Sequence, residues 1–137
     1  MDENKNFIGG LIAPGLKIQA KSLSAFTSKL PKLKIEAPKS AIGKDTVSAM
    51  LSGIVMGHAA MIEGMIKASE KELGKKATVI ATGGYSSVLF NNMERGFDYV
   101  NPYLTLEGLR YLYKLNCEEV AYDGENRTEN RKTPALF

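Results

Sequence analysis

The sequence predicts an α/β domain whose sheet has too few strands to be complete. Three observations carry this. Apolar residues recur every 3.6 positions from Val47 to Leu73; a β-branched run, Thr78 to Ala81, meets a paired glycine; and short strand signals alternate with helical ones as far as Leu115.

The elements follow in order. In "NFIGGLIAPGL", Phe7, Ile8, Leu11 and Ile12 form an apolar run interrupted by Gly9 and Gly10. It reads as an edge strand that needs a partner, because an isolated strand is not stable. After Pro14, Leu16, Ala20, Leu23 and Leu30 have helical spacing with Phe26 alongside, and the helix should stop before Pro31. "PKLKIEAPKSAIGK" is then an extended surface loop. From Asp45 the periodic residues (Val47, Met50, Leu51, Ile54, Val55, His58, Met61, Ile62, Met65, Ile66, Leu73) describe a long core helix ending near Gly74. Its internal Gly53, Gly57 and Gly64 each cost about 1 kcal/mol relative to alanine, which implies a close approach there.

"KKATVIATGG" reads as a buried parallel strand, "YSSVLFNNME" as a short helix and "FDYVNPYL" as a second short strand ended by Pro102. A last helix starts at Thr105, with that hydroxyl as a candidate N-cap. Residues 117–137 are polar and aperiodic and are expected to form a mobile tail.

Composition narrows the function classes. At 137 residues and 44% hydrophobic, the chain has room for one core and not for two domains. The formal charge of +3 is scattered, so no nucleic-acid partner is expected. Residues 117–137 carry three basic and five acidic side chains, which leaves +5 on residues 1–116, a body suited to an anionic ligand. One cysteine, Cys117, excludes an intrachain disulfide, and one histidine excludes a zinc site of the usual ligand types. The acidic start "MDENKNF" is unlike a secretory signal and no apolar run reaches the roughly 18 residues of a membrane span, so a cytoplasmic protein without a membrane partner is expected.

The candidate site residues each admit two readings. Thr82, Gly83 and Gly84 lie where a strand ends and a helix begins, the place where open α/β sheets bind ligands. Glycine there lets backbone amides reach a nucleotide, or it simply allows a tight corner with positive φ. Asp45 or Thr46 caps the long helix, or Thr46 offers its hydroxyl to a polar substrate. His58 is either a general base or a satisfied core or interface histidine; Met50, Met61 and Met65 are core fillers or a subunit contact; Glu107 and Arg110 have the spacing of a surface ion pair. No catalytic triad, Walker loop or carboxylate pair is visible.

Taken in order and spacing, "GGLIAPGL", "LSAFTSKLP", "IGKDTVSAMLSGIVMG", "VIATGG" and "NPYLTLEGLRYLY" resemble the C-terminal half of type III pantothenate kinases, across about residues 7–116. The resemblance implies the C-terminal half of an actin/sugar-kinase (ribonuclease H-like) fold, an ATPase-like domain over residues 1–116. It further implies ATP against Thr82, Gly83 and Gly84, pantothenate against Thr46, and a homodimer built around the long helix. The family's aspartate-bearing phosphate motifs and its catalytic base have no counterpart here. The resemblance therefore assigns no catalytic or metal-binding residue to this chain, and places Mg2+ and a monovalent cation only in an intact enzyme that includes the N-terminal half. A non-catalytic nucleotide-binding or assembly module, of the kind named as transcriptional accessory factors in the same family, is the alternative.

Overall fold

The computed structural model describes residues 1–122, with side chains through Cys117. Its centre is a continuous helix, Thr46–Leu73. This long helix has three segments: α2 (Thr46–Leu51), a π-helical stretch Ser52–Met56, and α3 (Gly57–Leu73). It starts with a capping box: the Asp45 carboxylate accepts from the Ser48 N–H at 2.9 Å, and the Ser48 hydroxyl accepts from the Asp45 N–H at 3.2 Å. It ends at Gly74, whose φ of 68° is the left-handed turn that glycine supplies without strain.

Helix α1 (Leu16–Phe26) lies across the π segment and buries Leu16 and Ala20 against Met50, Ile54, Val55 and Ala59. Val55, at 0% exposure, is the centre of this core. The loop after α1 is irregular yet anchored. Leu33 and Ile35 pack on the core, the Ser52 hydroxyl donates to the Ala41 carbonyl, and Gly43 sits so close that a Cβ there would lie 2.1 Å from the Ala49 backbone nitrogen. Helix α4 (Ser86–Phe90) adds Leu89 to the same cluster.

The sheet is minimal. β1 (Ile80–Ala81) and β2 (Tyr99–Val100) pair in parallel, Ile80 opposite Tyr99 and Ala81 opposite Val100. The order helix, loop, long helix, strand, helix, strand, helix agrees with the α/β reading, and five expectations are corrected. The edge strand at Phe7–Ile12 does not form: these residues have no ladder partner among the described residues, and Ile12 is 104% exposed. The Thr78–Ala81 strand is shorter than expected and is not buried, Ile80 being 51% exposed, because among the described residues one strand pairs with it. Helix α1 stops at Phe26, a turn earlier than its apolar spacing suggests, and Phe26 itself is exposed. Finally, α5 (Leu104–Tyr122) begins one residue before Thr105, which is therefore inside the helix and not its cap. The helix also runs through Asn116, so residues 117–122 of the expected tail are helical, and the rest of that tail lies outside the described residues.

Candidate functional site

The corner after β1 is shaped by glycine. Gly83 has φ of +99°, a conformation that side-chain-bearing residues rarely adopt, and its carbonyl accepts from both the Ser86 N–H (3.2 Å) and the Ser86 hydroxyl (2.8 Å). The positive-φ reading is thus met at Gly83. Gly84 is different. Its φ is ordinary, and a Cβ added there would meet nothing within 4 Å, so local backbone geometry does not require glycine at this position. Thr82, Gly83 and Gly84 are all exposed, and no side chain fills the corner. Among the described residues, the Gly83 and Gly84 amides donate to no backbone or side-chain acceptor. The helix that follows is only five residues long, so its dipole adds little to anion binding at the corner.

Beside the corner, Tyr85 forms one wall of a cleft of about 650 Å³. Lys17, Ala20, Lys21 and Ser24 of α1 line the second wall, and Lys32, Leu33, Lys34 and Ile35 of the following loop line the third. The Lys17 ammonium sits 5.9 Å from the centre of the Tyr85 ring, within cation–π range. The sequence reading missed this cleft. Its signal was present: Lys17 and Lys21 lie one helical turn apart, and "KLKI" alternates charged and apolar residues as an extended segment with one face inward does.

Thr46 is exposed at the first position of α2, immediately after the capping aspartate. The cap is Asp45, whose carboxyl is held below the ordinary carboxylate range chiefly by the Ser48 amide and then by the Ser48 hydroxyl. That leaves the Thr46 hydroxyl uncommitted among the described residues. Among the described residues, neither Thr46 nor Thr82–Gly84 lines the cleft beside Tyr85, the groove beside Met61 and Met65, or the cleft between Lys76 and Arg95.

His58 has a partner that the sequence could not show. The Gln19 side-chain amide N–H₂ lies 2.8 Å from the Pro14 carbonyl oxygen and 2.8 Å from His58 Nδ1. The carbonyl can only accept, so this Gln19 nitrogen donates to both, and Nδ1 of His58 carries no proton. Burial pushes the imidazole pKa down, in the same direction. This is a histidine satisfied by α1 packing, not a base aimed at substrate. Met50 is buried, whereas Met61 and Met65 are partly exposed and line an apolar groove of about 380 Å³ with Leu11 and Thr78–Ile80. Glu107 does not pair with Arg110; its carboxylate accepts from the Asn101 side chain at 2.8 Å. A further polar clip was also missed: Glu70 accepts from the Ala77 N–H at 3.0 Å and pairs with Arg95 at 2.9 Å, tying the end of α3 to the segment before β2. Among the described residues, no group of three acidic, histidine or cysteine side chains has the arrangement of a metal site.

Residues 1–68 match the family model described as type III pantothenate kinase. Over 116 residues, 85% of the chain, the sequence is 47% identical to a protein of Dehalococcoides mccartyi strain CBDB1 named type III pantothenate kinase. It is 45% identical over the same length to the protein of that name from strain 195. The chain belongs to the type III pantothenate kinase family. It spans 44% of the length of the first of these relatives and 45% of the second, so the whole enzyme's properties are not carried by the match itself. The segment "VIATGG" lies outside the stretch matched by the family model, whereas Thr46 lies inside it.

Proposed function

We propose that this chain is one part of an ATP-dependent kinase that phosphorylates pantothenate on the way to coenzyme A. In this reading it is the C-terminal half of an actin/sugar-kinase fold, residues 1–116 forming its ATPase-like domain. Thr82, Gly83 and Gly84 provide the shelf for the adenosine of ATP, and the Thr46 hydroxyl meets pantothenate. The observation that carries it is the open corner at Gly84 in a chain of this family: a glycine with ordinary φ and empty space above it fits a surface that a flat ligand approaches closely.

The chemistry this chain supplies is binding and orientation. Exposed amides at the corner can receive ribose or base, and a hydroxyl held at the start of a capped helix can orient an acceptor alcohol. Phosphoryl transfer also needs a group to take the hydroxyl proton and charges to neutralise the γ-phosphoryl. The described residues do not form that set, and Mg2+ and a monovalent cation would take their ligands from the completing polypeptide. In this reading that polypeptide also supplies strands to a sheet that has two among the described residues. A homodimer fits the exposed small-residue face of the long helix (Gly53, Gly57, Ala60, Gly64), and a cytoplasmic location fits the substrates. The helix is long and apolar enough to cross a membrane, but α1 packs on its π segment and charged residues fill its last turns, which favours a core role.

The test is phosphate transfer from labelled ATP to pantothenate by this chain mixed with the unmatched portion of the strain CBDB1 relative. Transfer on mixing, and not by either part alone, is the expected result. ATP binding without transfer would instead support the second reading, a non-catalytic nucleotide-binding or assembly module, which the same exposed helix face favours.

A further inference from the structure

The Lys17–Tyr85 cleft concentrates charge of one sign. Four of its nine lining residues are lysines, contributed by two separate segments, and none is acidic. Among the described residues none of these lysines takes part in an ion pair; the pairs formed are Lys75 with Glu3 and Arg95 with Glu70. Like charges gathered around one concavity repel, and the apolar walls of Ala20, Leu33, Ile35 and Tyr85 do nothing to screen them. Folding nevertheless holds the four stems together, because Ala20 is buried in the core while Leu33 and Ile35 pack against it. The cost of this arrangement is relieved by an anion with several charges spread over a few ångströms, since each ammonium can donate to a different oxygen.

We propose that this cleft is a binding site for an oligophosphate, held by Lys17, Lys21, Lys32 and Lys34, with the Tyr85 ring available to any flat group the phosphates carry. Both inorganic oligophosphate and the phosphate chain of a nucleotide have this chemistry. Nothing in it depends on adenosine at the Gly83–Gly84 corner.

Calorimetric titration of the full chain with sodium tripolyphosphate, ATP and adenosine tests this. Tripolyphosphate binds saturably and more weakly as salt is raised. Lys21→Gln/Lys34→Gln weakens its binding by roughly tenfold, because two charge-assisted contacts are lost. The same charge removed elsewhere, in Lys67→Gln/Lys71→Gln on α3, leaves it unchanged. ATP following tripolyphosphate in its loss identifies nucleotide as a ligand of the cleft, whereas tripolyphosphate binding alone identifies the inorganic anion; either supports the site. All four cleft lysines are exposed, so these variants should melt as the parent does, and Lys17→Gln/Lys32→Gln gives a second pair if they do not. No binding of tripolyphosphate by the parent, or equal weakening in the α3 control, overturns the proposal. Retention of tripolyphosphate binding in Gly84→Val alongside loss of adenosine binding separates this site from the adenosine shelf, so one can fail without the other.

Discussion

The two ends of this chain use similar residues to different effect. In the first region, α1 and the π segment of the long helix bring Leu16, Ala20, Met50, Ile54, Val55 and Ala59 into one buried cluster. In the second, α5 carries Leu106, Leu109, Leu112 and Leu115 with comparable regularity, and all four are exposed, Leu109 at 58%. Hydrophobic periodicity fixes that a helix forms; burial additionally requires a surface to meet. The long helix meets α1 and α4, whereas α5 follows a two-stranded sheet too small to cover it. The difference teaches that the same periodicity gives a buried core where helices cross and an exposed apolar face where they do not.

The contrast is broken most directly by truncating matched side chains. Ile54→Ala should destabilise the chain by about 2–5 kcal/mol, while Leu109→Ala should cost less than about 0.5 kcal/mol, as read by urea unfolding. Equal losses would mean that α5 is packed after all. Glycine gives the next largest effect. Gly43→Ala drives a Cβ into the Ala49 backbone and should cost about 1–3 kcal/mol, whereas Gly84→Ala should leave the unfolding midpoint unchanged.

Helix capping is smaller. Asp45→Ala should lower the melting temperature and Asp45→Asn should largely preserve it, since either oxygen can accept from the Ser48 amide. Because the folded state lowers the Asp45 pKa, this contribution is present above the unfolded value, near pH 4, and fades as the pH falls below it. His58 sharpens the comparison least but is specific to the packed end. Its folded pKa is also lowered, so the unfolded chain binds the proton first, and stability is full above about pH 6.5 and declines as the pH falls below that. Gln19→Ala removes the donor to Nδ1 together with part of the cover that buries the ring, and should weaken that pH dependence in thermal melts, while Asn101→Ala near α5 should not.

The sequence revealed most where the signal was local. The long helix and its Gly74 stop, a cap at Asp45 or Thr46 and the parallel character of the Thr78–Ala81 strand were legible, because each depends on spacing or on one side chain; the structure gives the cap to Asp45. The failures share one cause, which is dependence on neighbours. Among the described residues, Phe7–Ile12 has the composition of a strand and no strand to pair with, and Thr78–Ala81 has the composition of a buried strand with one neighbour. The π segment arises where Ser52 turns to the Ala41 carbonyl, a contact between residues far apart in sequence. At the site, Gly83 was legible as a corner. The lysine cleft left only local traces, the Lys17–Lys21 spacing and the alternation of residues 32–35, because its assembly needs α1 and that segment to face each other across Tyr85.

The central claim is that Gly84 is a glycine for the sake of a ligand and not of the fold. It is tested by titrating ATP into the chain and into Gly84→Val, each combined with the unmatched portion of the relative, with melting temperatures recorded alongside. Equal melting temperatures with ATP binding lost by roughly tenfold or more in Gly84→Val is the expected result. Undiminished ATP binding by a stably folded Gly84→Val would contradict it.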